Sequence, residues 1–222
     1  MRGSDDYDGR LKKGELSSGT TIMALSFEGG VILGADSRVS TGTYVASRTS
    51  DKIAQLHDTI WCCRSGSAAD TQALTEYVRH FLAQQSIETG RPPLVKTAAH
   101  MMRRLCYENK GFLLAGVIVA GWDPVHGGSV YNVPIGGTCI KMPYALGGSG
   151  SGYIYGLVDA AYAENESPSK EEGLKLVHSS VAHAMARDGG SGGIIRTVTV
   201  TQDGNVKQVI LGNQLPYGPS GL

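Results

Sequence analysis

The stretch Gly19-Thr20-Thr21-Ile22-Met23-Ala24-Leu25 decides both the fold and the chemistry that this sequence predicts. A polar leader ends at Gly19, and Thr20 is the first residue of a run, residues 20–27, that is typical of a β-strand. A threonine hydroxyl is a weak nucleophile, and the α-amino group of the same residue can act as its base once the chain is cut before it. Because an α-amine has a pKa of about 7.7–8.0, it is partly neutral near physiological pH. We predict that the Gly19–Thr20 bond is cut and that Thr20 becomes an N-terminal nucleophile; the alternative is an ordinary β-branched strand residue.

The residues that follow predict a β-hairpin, because two extended runs flank the turn Glu28-Gly29-Gly30. If the hairpin closes evenly, paired residue numbers sum to about 58, so Asp36 lies across from Ile22. Asp36 is then about 7 Å along the strand from Thr20, which is too far for a direct hydrogen bond. We expect the long side chain of Lys52 to bridge that gap.

The rest of the chain alternates between strand pairs and helix pairs. One helix is predicted with Ser67 as its N-cap and Gly90 beyond its end, and Ser167-Pro168 is predicted to begin another with proline at the first helical position. The predicted apolar stripe of the first helix contains Ala73, Leu74, Tyr77, Val78, Phe81 and Leu82. A further helix is predicted after the glycine-rich segment Gly147-Gly148-Ser149-Gly150, and its apolar face contains Ile154, Leu157, Val158 and Ala161. Antiparallel strands with helices arriving in pairs predict an α+β fold, with two packed sheets between two helical layers.

The composition excludes several classes of function. Lys+Arg number 20 and Asp+Glu number 20, so there is no basic excess that would indicate nucleic-acid or membrane-surface binding. No apolar run is long enough for a transmembrane helix, and the leader lacks the apolar core of a secretory signal, so a cytosolic or nuclear location is expected. No metal site is expected, because the cysteines lack metal-binding spacing and are predicted to be free thiols: Cys62, Cys63, Cys106 and Cys139.

Four motifs follow one another along the chain: Gly19-Thr20-Thr21, Gly34-Ala35-Asp36-Ser37-Arg38, Asp51-Lys52-Ile53 and Ser65-Gly66-Ser67-Ala68-Ala69-Asp70. With these motifs, the sequence from Thr20 to about Leu215 resembles the β-type subunits of the eukaryotic proteasome. Within that family it is most similar to the caspase-like catalytic subunit, through the segment Cys62-Cys63-Arg64-Ser65-Gly66.

The resemblance implies a four-layer αββα sandwich of the N-terminal nucleophile hydrolase type and a threonine endopeptidase in ATP- and ubiquitin-dependent protein degradation. Residues 1–19 would be a prosegment removed on maturation, and residues 20–222 one catalytic domain with an irregular tail at about 212–222. The implied partners are other proteasome β and α subunits in stacked rings, regulatory particles that bind through the α rings, and polypeptide substrates. No cofactor, nucleic acid or membrane is implied, and the expected locations are the cytoplasm and the nucleus.

The resemblance also assigns roles to residues near Thr20. The Lys52 ammonium stabilises negative charge on the threonine oxygen, and Asp36 orients that ammonium. A plain surface ion pair between Lys52 and Asp36 is the alternative. Gly66 supplies an oxyanion N–H, which its place between a strand and a helix start also permits, although the turn alone could require glycine.

Two glycine-rich segments carry the remaining candidates. The resemblance implies that Ser149, Asp188 and Ser191 orient Thr20 and its amine. The segment around Ser149 resembles a phosphate loop but has tyrosine where that loop needs lysine, so nucleotide binding is rejected. Gly189-Gly190-Ser191-Gly192-Gly193 fits the esterase elbow, but no histidine follows it in the chain. A glycine-rich turn capped by Asp188 is the simplest alternative.

Arg64 bears on specificity, because it lies two residues before Gly66 on the same strand face. A guanidinium in a substrate pocket favours an acidic side chain before the scissile bond, and an ordinary surface cation is the alternative. The positions that line this pocket in the family match Val39, Ser40, Ser50, Ala54 and Ala68. Val39-Ser40 stands where many caspase-like subunits have two threonines, so the pocket is predicted to be more apolar.

Two alternatives to a catalytic proteasome subunit stay open. One is an inactive β subunit that only builds the ring, although no catalytic position is missing here. The other is a different N-terminal nucleophile amidohydrolase with the same sandwich.

Overall fold

The computed structural model describes residues 19–41 and 43–215, so the predicted leader up to residue 18 and the tail from residue 216 lie outside the described residues. The strands are β1 (Ile22–Phe27), β2 (Gly30–Ala35), β3 (Val39–Thr41), β4 (Tyr44–Ser47), β5 (Ile53–His57), β6 (Ile60–Gly66), β7 (Ala115–Asp123), β8 (Gly127–Val133), β9 (Ile140–Met142), β10 (Tyr144–Gly147), β11 (Ile195–Thr201) and β12 (Gly204–Ile210). The helices are α1 (Ala68–Thr89), α2 (Val95–Glu108), α3 (Tyr155–Glu164) and α4 (Lys170–Arg187). None of these helices is long and apolar enough to cross a bilayer.

The strands form two antiparallel sheets of five strands each within the described residues. The first sheet has the order β10-β1-β2-β11-β12, and the second has the order β5-β6-β7-β8-β9. Strands β3 and β4 pair separately. The sequence did not predict β10, which pairs with β1 so that Gly147 lies opposite Ile22. This pairing brings the glycine-rich segment after β10 next to the start of β1.

Successive strand residues show how the layers pack. Ile22 and Cys63 belong to the apolar cluster between the two sheets. Met23 packs with Val177 of α4 on the outer face of the first sheet, and Cys62 packs with α1 and α2 on the outer face of the second. Because neighbouring residues on a strand face opposite sides, each sheet buries both faces. The protein is therefore an α+β, four-layer αββα sandwich, as the sequence predicts.

The register of the first hairpin differs by one residue from the expected register. Ile22 pairs with Ala35, so Asp36 lies across from Thr21 rather than from Ile22. The difference arises because the turn consists of Glu28-Gly29 alone and the next residue already belongs to β2. The backbone of the turn glycine has a φ of 97°, which suits such a two-residue turn.

Helix α1 begins as predicted, with the Asp70 N–H donating to Ser67 Oγ, and Gly90 ends it in a left-handed conformation. Its predicted apolar stripe is wrong for one row, because Ala73, Tyr77 and Phe81 are exposed. The buried side chains are Thr71, Leu74, Thr75, Val78 and Leu82. The core-facing side of the helix is therefore rotated toward the two threonines.

The other two predicted helix details are also corrected. Pro168 does not occupy the first helical position of α4, because Ser169 is the N-cap and forms a capping box with Glu172. In α3, Leu157 is exposed, whereas Tyr162 is buried and its hydroxyl donates to a backbone carbonyl at the end of β1. A buried tyrosine needs such a partner for its hydroxyl, which hydrophobic periodicity cannot reveal.

Candidate active site

Thr20 lies two residues before β1, not at the first residue of the strand as the sequence predicts, and it is only 5% exposed. Its N–H donates to Ser149 Oγ at 3.1 Å, and its carbonyl accepts from the Gly150 N–H at 3.1 Å. A Cβ atom on Gly148 would lie 2.1 Å from the Thr20 carbonyl oxygen, so only glycine permits this approach. The glycine-rich segment that resembles a phosphate loop thus holds the backbone of Thr20.

The side chain of Lys52 connects three groups around Thr20. Its Nζ atom lies 2.7 Å from Asp36 Oδ1, 3.2 Å from Thr20 Oγ1 and 3.3 Å from the Gly19 carbonyl oxygen. Asp36 is fully buried and Lys52 is 7% exposed, so water screens this ion pair little. The ammonium therefore spans the gap between the carboxylate and the threonine oxygen.

Asp36 is fixed by the backbone as well as by Lys52. Its carboxylate accepts from the N–H groups of Thr21 at 2.9 Å, Arg38 at 3.2 Å and Gly192 at 3.0 Å. Burial lowers the pKa of Lys52 below its usual 10.5, although the charge of Asp36 opposes that effect. The ammonium is thus held in place and is more easily deprotonated than an exposed lysine.

A second polar cluster, centred on Asp188, lies on the nitrogen side of Thr20. Ser149 Oγ and Ser191 Oγ donate to Asp188 Oδ2 at 2.7 and 2.6 Å, and the Gly190 N–H donates to Oδ1 at 3.0 Å. Burial alone would raise the pKa of Asp188, but these hydrogen bonds outweigh it and the pKa lies below its ordinary value. The carboxylate is therefore ionised at neutral pH, and Ser149 keeps a lone pair for the Thr20 N–H.

The segment between Asp36 and Arg38 holds the loop that joins α4 to β11. Ser37 N–H donates to the Gly192 carbonyl at 3.1 Å, and Ser37 Oγ accepts from the Ile194 N–H at 2.8 Å. Arg38 Nη1 donates to the Gly189 carbonyl at 2.9 Å. Because this loop runs from a helix to a strand, it lacks the strand–turn–helix geometry of an esterase elbow.

A cleft with about 380 Å³ of empty space opens beside Thr20. Its lining consists of Thr20, Val39, Ser50, Asp51, Lys52, Arg64, Gly66, Ala68 and Thr71. Two residues predicted for the substrate pocket, Ser40 and Ala54, are not part of this lining. Ser40 is buried next to Val39, at the point where the register between β3 and β4 shifts, and Ala54 packs against the helix-side core.

Arg64 is held at one end of its guanidinium only. Its Nη2 donates to the Asp51 carbonyl at 3.0 Å, while its Nε is buried without a partner within the described residues. Because this Nε atom is buried, an acceptor that enters the cleft would bind the guanidinium through its terminal N–H groups.

Gly66 ends β6 at the cleft with a φ of 100°, and a Cβ atom there would lie 2.3 Å from the Leu114 carbonyl oxygen. The turn from strand to helix therefore requires glycine, whether or not the Gly66 N–H also serves a substrate.

Sequence reasoning missed three residues that contact the site. Thr21 bonds to Ser191, and Asp51 and Thr71 line the cleft. Helical periodicity could have found Thr71, since it lies three residues after Ala68. Within the described parts of the chain, no group of three or more His, Cys, Asp or Glu side chains could hold a metal ion.

Comparisons with known proteins agree with this architecture. A family model described as proteasome subunit matches residues 16–200. The chain is 52% identical over 198 residues to Dictyostelium discoideum proteasome subunit beta type-6, covering 89% of this chain and 92% of that protein. It is 52% identical over 195 residues to Saccharomyces cerevisiae proteasome subunit beta type-1, covering 88% and 89% of the two chains. Human proteasome subunit beta type-9 is 48% identical over 205 residues, covering 92% of each chain.

Proposed function

The chain belongs to the proteasome β-type subunit family, whose members assemble with other proteasome subunits and serve protein degradation, and we propose that it is a catalytic member of the core particle. The proposed activity is that of a threonine endopeptidase that cleaves polypeptides after acidic residues, in ATP- and ubiquitin-dependent degradation. The proposed setting is stacked rings of β and α subunits, with regulatory particles bound through the α rings, in the cytoplasm and the nucleus.

The position of Lys52 is the observation that carries this proposal. Its ammonium lies 3.2 Å from Thr20 Oγ1 while Asp36 holds it at 2.7 Å, so it favours the charged form of the oxygen that attacks. The neutral α-amine of Thr20 takes the hydroxyl proton, directly or through water, and returns it to the leaving amine. The Gly66 N–H stabilises the oxyanion, and water then releases the acyl group from Thr20.

The same cluster argues against a subunit that only builds the ring. A buried ion pair contributes little net stability, because the loss of hydration offsets the attraction between the charges. A purely structural subunit therefore gains little from Asp36 and Lys52 at this position. Membership of the proteasome family also disfavours an unrelated amidohydrolase with the same sandwich.

The environment of Gly19 supports autocatalytic removal of residues 1–19. A Cβ atom on Gly19 would lie 2.1 Å from Gly190 Cα, so a larger residue would not fit, and the Gly19 carbonyl faces Lys52. We infer that Thr20 Oγ attacks this carbonyl, that the C–N bond breaks as the nitrogen takes the hydroxyl proton, and that an ester forms. Water then hydrolyses the ester, which leaves a Gly19 carboxylate and frees both the hydroxyl and the amine of Thr20. Residues 20–222 are then the mature domain.

Arg64 supports the acidic preference. Its side chain lines the cleft that contains Thr20, and its Nε has no partner in the described structure. A carboxylate of the residue before the scissile bond can accept from this guanidinium, and a basic residue at that position would be repelled.

The intact mass of the purified chain, compared between wild type and Thr20→Ala, tests the proposal. The wild-type chain should begin at Thr20 and react with a covalent probe for N-terminal threonine, whereas Thr20→Ala should keep residues 1–19, provided that no active neighbour trims them. A wild-type chain in the assembled particle that still begins upstream of Thr20 would contradict the mechanism.

A further inference from the structure

A row of hydrogen bonds connects the side chain of Thr21 to the backbone nitrogen of Thr20. Thr21 Oγ1 lies 2.7 Å from Ser191 Oγ, which lies 2.6 Å from Asp188 Oδ2. The same carboxylate oxygen accepts from Ser149 Oγ at 2.7 Å, and Ser149 Oγ accepts from the Thr20 N–H at 3.1 Å. Thr21 and Ser191 are both fully buried.

The direction of each bond in this row follows from counting protons. An ionised Asp188 can only accept, so the single proton of Ser191 lies between Ser191 and Asp188. The contact between Ser191 and Thr21 therefore needs the proton of Thr21, whose hydroxyl is the donor. By the same count, Ser149 gives its proton to Asp188 and accepts from Thr20.

The Thr21 hydroxyl is closely packed beside Ser191, for which it is the hydrogen-bond donor. A Cβ atom on Gly150 would lie 2.0 Å from Thr21 Oγ1 and 3.1 Å from Ser191 Oγ, so the oxygen fills the space next to that glycine. Without the hydroxyl, the buried lone pair of Ser191 would have no donor, and the serine could rotate away from Asp188. Thr21 also donates its backbone N–H to Asp36 at 2.9 Å, which fixes its position from the other side.

We propose that Thr21 is a positioning residue whose hydroxyl holds Ser191, and through Ser191 the Asp188–Ser149 pair, in the orientation that places the Thr20 nitrogen. This inference rests on the proposed function, because the nitrogen matters only if it is the base of the reaction. If the Thr20 nitrogen is positioned less firmly, the rate of the chemical step falls, whereas substrate binding in the cleft lined by Arg64 does not change.

The test compares Thr21→Val with Thr21→Ser in the assembled particle, with kcat and KM measured on a peptide with an acidic residue before the scissile bond. Thr21→Val keeps the shape of the side chain and removes the hydroxyl, so kcat should fall about three- to tenfold at unchanged KM, the range of one neutral hydrogen bond. Thr21→Ser should recover most of the loss. Thr199→Val makes the same change at a buried position of β11 and should leave kcat unchanged.

A double-variant cycle tests the route through Ser191. In a Ser191→Ala background, Thr21→Val should lower kcat no further, because the bond it removes is already absent. If Thr21→Val fails to assemble, Thr21→Ala against Thr21→Ser makes the same comparison. An equal kcat for the variants with and without the hydroxyl, or additive losses in the cycle, would overturn this inference alone. An inactive wild-type chain that keeps its leader would overturn the proposed function as well.

Discussion

The back of the cleft and its wall differ in how completely their polar groups are paired. At the back, Asp36 accepts from Lys52 and from three backbone N–H groups, and Lys52 reaches Thr20 as well. On the wall, Arg64 is held only through Nη2 by the Asp51 carbonyl, and its Nε is buried without a partner in the described structure. Both regions are charged, but only the back of the cleft is complete without a ligand.

This difference separates two kinds of function within one cleft. Groups whose hydrogen bonds are satisfied by the protein are preorganised and do not have to rearrange during a reaction. A guanidinium that lines the cleft and is held through one hydrogen bond keeps terminal N–H donors for a substrate, so it discriminates between substrates. Substitutions at the back should therefore change the rate for every substrate, and substitutions on the wall should change the order of preference.

The largest effect is expected for Lys52→Ala. Loss of the ammonium next to Thr20 Oγ1 should lower kcat by about 10²–10³-fold or more for acidic, apolar and basic peptides alike. The three backbone donors to Asp36 remain, so the chain should still assemble. Peptidase assays and native mass measurements on the particle check both statements.

Lys175→Ala, at an exposed site on α4, is the matched control and should behave like wild type. Near-normal activity of an assembled Lys52→Ala particle would show that the lysine has no part in the chemistry.

An intermediate effect is expected for Asp188→Asn. The amide has one acceptor oxygen, so it can accept from the two serines or from the Gly190 N–H but not from all three, and its NH₂ faces a donor in either orientation. The network that positions the Thr20 nitrogen is therefore weakened. Because a hydrogen bond to a charged group contributes about 1.5–3 kcal/mol, kcat should fall roughly ten- to a hundredfold. Steady-state kinetics on three peptides, with Asp203→Asn in an exposed turn as control, measure the change. A loss confined to one class of peptide would place Asp188 on the wall rather than at the back.

The sequence predicts the back of the cleft better than the network around Asp188, because the residues at the back are closer to one another along the chain. Asp36 is 16 residues from Thr20, so the pairing of one hairpin nearly places it, with an error of one residue in the register. Lys52 is then expected to bridge the remaining gap because its side chain is long. Thr21 and Ser191 are 170 residues apart, and their contact exists only because β11 joins the first sheet beside β2. The local patterns around Ser149 and Ser191 indicate a phosphate loop and an esterase elbow, which are both rejected, so only the resemblance to a family points to a shared role of Ser149, Asp188 and Ser191 beside Thr20.

The errors in the helices have a different physical cause. Helix α1 carries two neighbouring apolar rows, one with Tyr77 and Phe81 and one with Val78 and Leu82, and periodicity alone cannot choose between them. Packing against β5 and β6 buries the second row and leaves the first exposed. This error did not affect the prediction of the site. The N-cap at Ser67 fixes the start of the helix beside Gly66, whichever row of side chains is buried.

The smallest effect on rate, and the sharpest test of the difference between back and wall, is expected for Arg64→Glu. Neither Nη2 nor Nε of Arg64 bonds to Thr20, Asp36 or Lys52, so the catalytic cluster stays intact and the best substrate should still be cleaved at a rate close to that of wild type. The ranking should invert, because a carboxylate on the wall repels an acidic side chain before the scissile bond and attracts a basic one. Since one charged contact is exchanged for one repulsion, kcat/KM for Glu relative to Arg at that position should change by at least about tenfold.

Arg104→Glu on α2, where the side chain is 77% exposed, introduces the same charge change far from the cleft and should leave the ranking unaltered. Equal kcat/KM for Glu, Leu and Arg peptides in the wild type, or an unchanged ranking in Arg64→Glu, would mean that the unpaired guanidinium does not select the substrate. A fall in kcat for all three peptides would instead place Arg64 with the catalytic cluster at the back of the cleft.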